Sequence, residues 1–215
     1  MTEIPAHLLQ RSKKRRGGGG DASTEKGADA TGAASDDGGS TAAVAAPAEP
    51  VEDNRLDADL ELNPINGDPQ SLEEWLLLFH LVVVVLDPYT DEAAWILPTA
   101  GRVLKNFDGA GARVAFVVTA NEDDASQFLG PWAEELLVFT DPDYTVTKGL
   151  EVETLPALVH IKQDRNIAGS AEGWQPEEWN EITKGIANML RWTAPLVPTM
   201  KDPPAFAGAP LHKAT

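Results

Sequence analysis

The chain has 215 residues, a net charge of −17 and no cysteine. That length suits one domain with long flanks. The missing cysteines exclude disulfides, thiolate metal sites and thiol nucleophiles, and the acidic body repels the phosphates that nucleic-acid binding depends on.

The charge is unevenly placed. Residues 1–16, MTEIPAHLLQRSKKRR, carry Arg11, Lys13, Lys14, Arg15 and Arg16 against Glu3 alone, so +4 sits in this arm and −21 on the remainder. Ile4, Leu8 and Leu9 fall at i, i+4 and i+5, and Pro5 suits a first helical turn. Isolated helices this short are marginal, so the arm is expected to fold only on a partner. A purely electrostatic tail would not need the three apolar residues. They favour docking on acidic protein, RNA or lipid headgroups over a solvated charge run. Nucleic acid is expected only through these residues. Glycines and acids follow the basic cluster where a secretory signal would have an apolar segment, so none is read here.

Residues 17–58 are rich in Gly, Ala and acids and contain no aromatic residue. Such a stretch cannot bury enough surface to offset chain entropy, so it is read as a disordered acidic linker. Random-coil scaling gives it an r.m.s. reach of roughly 35 Å.

The globular pattern starts near Leu60, and the domain is set at 59–192. SLEE (71–74) is a capping box opening a helix over Ser71 to Phe79. The apolar run Leu76 to Leu86 is interrupted by His80 and falls short of the ~20 residues of a membrane-spanning helix. Within it, LVVVV reads as a strand buried on both faces. A helix over Asp91 to Phe107 is expected to be interrupted at Pro98. RVAFVVT (113–119) is a second buried strand. Residues 122–137 carry a helix pattern broken at Gly130-Pro131, and LLVFT reads as a short strand. DPDYTVTKGL is a turn into a short helix ended by Gly149. ALVHI (157–161) and NIAGSA (166–171) flank the polar turn KQDR as a hairpin. The last helix carries Trp179, Ile182, Ile186, Met189 and Leu190 on one face. Residues 193–215 hold several prolines and no period, and are expected to form an extended tail that touches the domain at Trp192 and Phe206.

The early β-α-β unit implies parallel strands and the late hairpin antiparallel ones. The fold class is therefore α/β, a mixed central sheet with helices on both faces. In this order three stretches carry a resemblance: VVVVLDPYTDEAAWILP, GLEVETLPALVHI and KQDRNIAGSAEGW. Together they are similar to the thioredoxin-like three-layer sandwich over roughly residues 65–191. FTDPDYTVTKGLEVETLP looks more like the peroxiredoxin and thiol-disulfide reductase branches than the small thioredoxins. The resemblance places Thr90-Asp91-Glu92-Ala93 on the family's Cys-x-x-Cys, Tyr89 on a frequent aromatic, Pro98 on the helix proline, Pro156 on the cis-proline and Gly173 on a characteristic glycine. Both thiol positions are lost, so redox activity does not carry over. The arm IPAHLLQRSKKRR also resembles the openings of several unrelated actinobacterial proteins, which would make it a transferable docking tag.

Each candidate residue has a structural reading beside the functional one. Thr90 or Asp91 is expected to cap the helix that follows, with Asp91 and Glu92 facing its positive end. The functional reading is a retained groove, Tyr89, Thr90 and Asp91 opposite Leu155 and Pro156, holding an extended peptide without reacting. A catalytic role for Asp87, Asp91 and Glu92 would need a shifted carboxyl pKa, which exposed turns seldom provide. His80 and His160 lie inside apolar strands and read as structural. No metal-ligand spacing and no phosphate loop is present. The tryptophans read as core or groove wall: Trp95 is expected in the core, and Trp174 is singled out for exposure and partner contact.

The sequence therefore points to a cytoplasmic, redox-inactive thioredoxin-like accessory module without cofactor or metal. Its partner is expected to be a protein, held by the arm, the cis-proline groove or both. The alternatives are a cysteine-independent enzyme on the same scaffold and a ribosome- or RNA-associated factor recruited by the arm.

Overall fold

A computed structural model of the chain describes residues 55–211. The docking-arm residues Ile4, Leu8, Leu9, Arg11, Lys13, Lys14, Arg15 and Arg16, the linker up to residue 54, and residues 212–215 lie outside the described part.

The described residues form strands β1 (Glu61–Pro64), β2 (Gln70–Ser71), β3 (His80–Leu86), β4 (Ala112–Val118), β5 (Leu137–Thr140), β6 (Thr154–Leu155), β7 (Ala157–Ile161), β8 (Ile167–Glu172) and β9 (Ala209–Pro210). The helices are α1 (Leu72–Leu76), α2 (Asp91–Phe107), α3 (Glu122–Leu129), α4 (Trp132–Glu135), α5 (Thr145–Gly149) and α6 (Pro176–Leu190). Seven strands share one sheet in the order β2-β1-β5-β4-β3-β7-β8, and β6 pairs with β9 in a second. β3, β4 and β5 run parallel, while β7 and β8 form the antiparallel hairpin.

The alternation of β3 builds both cores. Val82, Val84 and Leu86 pack with α2, α3 and α6, through Ile96, Val103, Phe107, Leu129, Trp179 and Ile186. Leu81, Val83 and Val85 pack on the opposite face with Leu72, Trp75 and Leu76 of α1 and Val146 of α5. A strand covered on both faces must be apolar at every position, which is what an unbroken valine run supplies. The expected three-layer α/β sandwich is present.

Several expectations need correction. α1 ends at Leu76, and its capping box at Ser71 and Glu74 is formed. Leu77, Leu78 and Phe79 lie outside it and are exposed. α2 continues through Pro98 without interruption. Pro98 and Ala94 are both exposed, so the carbonyl that loses its partner has access to water. The break at Gly130-Pro131 is present, between α3 and α4. On α6 the buried face is Trp179, Thr183, Ile186 and Ala187, and Met189 is exposed. Residues before 59 also pack on the domain: Leu56 is buried, and its N–H donates to the Arg165 carbonyl. Strands β1, β2 and β9 had no strand pattern in the sequence, because they are too short to show a period.

Residues 193–211 are more than a flank. They run back along α2, then beyond it to β6. Trp95, Thr99, Arg102 and Asn106, at i, i+4, i+7 and i+11, form the α2 stripe that meets them. Asn106 donates to the Thr193 carbonyl, Arg102 to the Leu196 carbonyl, and Arg102 and Thr99 both reach the Asp202 carboxylate at 2.7–2.8 Å.

Candidate functional site

The parallel strands β3, β4 and β5 end together, and their following loops gather the polar residues of that end. Open α/β sheets place ligands at this position. The turn after β3 is built by local hydrogen bonds. Asp87 is buried, and its Oδ1 accepts from the Tyr89 N–H at 2.9 Å. Thr90 Oγ1 donates to the Asp87 carbonyl at 2.9 Å and accepts from the Ala93 N–H at 3.4 Å. Thr90 is therefore the N-cap of α2, and Asp91 and Glu92 occupy its first turn. Carboxylates there interact favourably with the helix dipole, so the capping reading of this turn is correct.

Tyr89 is exposed, and its hydroxyl donates to Asp124 Oδ2 at 2.6 Å. That hydrogen bond, more than any other cause, raises the phenol above its ordinary pKa. Asn121 caps α3 by accepting from the Asp124 N–H. After β5, buried Asp141 accepts from the N–H groups of Val146 and Thr147 and from the Thr147 hydroxyl. Tyr144 stands beside it with a raised pKa, mainly through burial and then through the charge of Asp87. These carboxylates hold loops and helix starts. Among the described residues no group of three His, Asp or Glu could hold a metal ion.

The register Val85↔Ala157 brings Leu155-Pro156 to the same end of the sheet, and this peptide bond is cis. Tyr89, Thr90 and Leu155 are nevertheless committed to three different partners. Tyr89 reaches Asp124, Thr90 caps α2, and Leu155 pairs with Ala209 of β9. Leu155 and Pro156 are buried.

Trp174 corrects the sequence reading most directly. Of the six tryptophans it is the one singled out for exposure, and it is 0% exposed. Its Nε1 donates to the Pro203 carbonyl at 2.8 Å, its ring meets Trp179 edge-on at 5.1 Å, and its backbone bridges to Phe206 in both directions. Trp95 reverses the opposite way: expected in the core, it is 57% exposed and packs edge-on against Phe206 at 6.1 Å. Both reversals come from the returning segment, which covers one indole and leaves the other at its margin.

A mixed sheet with parallel β3-β4-β5, an antiparallel β7-β8 hairpin, a capped helix after β3 and a cis-proline before β7 are now all present. The fold is thioredoxin-like. Known structures with this fold include a protein described as a thioredoxin from Neisseria meningitidis, at TM-score 0.54 and 15% identity, covering 65% of this chain and 92% of that one. Another is described as the thiol:disulfide interchange protein DsbE from Chlorobium tepidum, at TM-score 0.53 and 16% identity, covering 63% and 97%. Peroxiredoxin Q of Xanthomonas campestris matches at TM-score 0.50 and 14% identity, covering 63% and 94%. These are names of redox proteins, and at such identities the likeness carries the fold alone. No protein-family model and no curated relative matches the chain. The thioredoxin-like scaffold here has Thr90 and Ala93 at the ends of its turn and no cysteine anywhere in the chain.

Two histidines also meet. His80 Nδ1 and His160 Nε2 lie 3.1 Å apart, so one ring donates and the other accepts. They stand on adjacent strands β3 and β7 at the opposite end of the sheet from the turn. Sequence separation hid the pair; only the β3-β7 register reveals it. Burial, then the neighbouring His80, lowers His160 to about 4. His80 is lowered as well, chiefly by burial. No helix among the described residues is long and apolar enough to cross a membrane.

Proposed function

We propose that this protein is a redox-inactive thioredoxin-like module that acts by binding other proteins. The observation that carries the reading is the turn at Thr90-Asp91-Glu92-Ala93. Its hydroxyl and backbone groups close on each other as a helix cap, where a redox enzyme of this fold would present a thiolate. The basic arm at 1–16 supports recruitment to an acidic protein surface, with Ile4, Leu8 and Leu9 as its apolar contacts. The lack of cysteine suits work in a reducing cytoplasm.

Two measurements test this reading. Purified full-length protein assayed for disulfide reduction and peroxide consumption is expected to show no turnover; turnover of either substrate overturns the proposal in favour of a cysteine-independent enzyme. Affinity isolation from the native cell, with and without residues 1–16, is expected to recover a protein partner that the shortened chain retains poorly. Recovery of RNA alone, lost with rising salt, would replace the protein partner with a nucleic-acid one.

A further inference from the structure

The histidine pair stands at the opposite end of the sheet from the turn, and its placement follows from register and alternation. Val82 pairs with His160, and His80 lies two residues before Val82, so both rings leave the same face of the sheet. That is the face covered by α6, where Val82 and Leu158 pack. His160 is buried and His80 is half-buried. Burial holds both rings below their ordinary pKa, so both are neutral at about pH 7 and each keeps a lone pair.

Beside His160, α6 leaves a cleft of about 250 Å³, walled by Glu181, Ile182, Gly185 and Met189 on the helix and by Ala168 on β8. Glu181, Gly185 and Met189 fall at i, i+4 and i+8, one stripe of the helix. Glycine is unfavourable in a helix interior, and close packing does not call for one here: a Cβ on Gly185 would meet nothing within 4 Å. The missing side chain keeps the cleft beside His160 open, with the Glu181 carboxylate at its wall.

Two neutral imidazole nitrogens 3.1 Å apart are also spaced for one ion. An ion at about 2.05 Å from each, the usual imidazole distance, would see them at an angle of roughly 98°. That lies between the ~90° of a square plane and the ~109° of a tetrahedron, the geometries preferred by Cu2+ and adopted by Zn2+. The hydrogen bond and the ion need the same two nitrogens. Moving the shared proton to the far nitrogen of its own ring frees both lone pairs with no change of charge. Lys162 stands against a cation here, but its ammonium is paired with Asp164 at 3.1 Å. Glu181 and the chain's net charge of −17 favour one.

We propose that His80 Nδ1 and His160 Nε2 chelate a late first-row transition-metal ion, Cu2+ more tightly than Zn2+, whose remaining positions open toward the cleft under α6. No group of three His, Asp or Glu forms a site among the described residues, which leaves those positions to water. The site is independent of the binding-module reading.

The test titrates full-length protein, first stripped with a chelator, with Cu2+ alone and with Zn2+ alone. His80→Gln, His160→Gln and a variant carrying His7→Gln and His212→Gln, the other two histidines of the chain, are titrated beside it. One Cu2+ per chain is expected, with electron paramagnetic resonance showing two coordinated nitrogens, and one Zn2+ held more weakly. His80→Gln and His160→Gln are each expected to weaken Cu2+ at least about 100-fold, the upper end of what losing a mere supporting partner costs. The variant without His7 and His212 is expected to bind as the intact protein does. Added Zn2+ is expected to raise Tm only in chains that keep both His80 and His160. Unchanged Cu2+ affinity in His80→Gln overturns the proposal; this half-buried position decides it even where His160→Gln fails to fold. Binding lost with His7 and His212 overturns it too, because the ion would then belong to those residues. So does the absence of saturable binding in the intact protein.

Discussion

The two walls at this end of the sheet are closed in different ways. The turn after β3 is closed by its own neighbours: Asp87, Thr90 and Ala93 satisfy one another within six residues of chain. The β6 edge is closed from a distance, by a strand more than fifty residues further on. The first closure depends on hydrogen bonds whose partners are close along the chain. The second depends on the whole domain holding Trp174, Asp202 and Phe206 in place. A local cap therefore survives changes elsewhere in the fold, whereas the pairing of a distant strand depends on the tertiary contacts that deliver it.

The comparison is broken most severely at Trp174. Trp174→Ala removes a fully buried indole that supports the returning segment, with an expected loss of about 3–5 kcal/mol. Chemical denaturation checks it, and a loss below about 1 kcal/mol would show that the indole is dispensable. The histidine pair supplies a control at the other end of the sheet. His160 titrates near 4 in the folded protein and near 6.5 unfolded, so the unfolded chain binds more protons between those values. Stability is full above about pH 6.5 and is expected to fall by up to about 3 kcal/mol as pH drops toward 4, with His80 acting in the same direction. Lys162 opposes protonation of both rings and Asp164 favours it at His80. His160→Gln is expected to flatten this part of the profile; an unchanged slope would assign it to carboxylates elsewhere.

Asp202→Ala comes next. It breaks the ion pair to Arg102, whose partner is 3% exposed at its side chain, and the bond from Thr99. The expected cost is about 1.5–3 kcal/mol, with faster amide exchange at Trp174. Thr90→Ala has the smallest effect, about 1 kcal/mol for a lost N-cap, with Trp174 exchange unchanged. If the two closures are independent, Thr90→Ala and Asp202→Ala add within about 0.5 kcal/mol in the double variant. Coupling beyond that would mean that α2 transmits between them.

Much of the fold was legible because its signals are local. The valine run of β3, the capping box at Ser71 and Glu74, the break at Gly130-Pro131 and the hairpin around KQDR each depend on residues a few positions apart. The candidate site was legible on one wall only. Thr90 as a cap follows from its place before an amphipathic helix. The exposure of Trp95 and the full burial of Trp174 were not legible, since nothing near either one records which of them a distant segment will cover.

By itself, the sequence determined that no thiol chemistry is possible within these 215 residues, that β3 and β4 are buried on both faces, and that the turn before α2 is a cap. Those properties follow from composition, period and short-range hydrogen bonding. Only the tertiary structure decided that His80 meets His160, that Tyr89 reaches Asp124, and that Ala209 and Pro210 fill the edge at Leu155. Each of these contacts joins residues whose separation along the chain carries no local signal, and whose meeting is set by strand register and by which surface remains open after the core has formed.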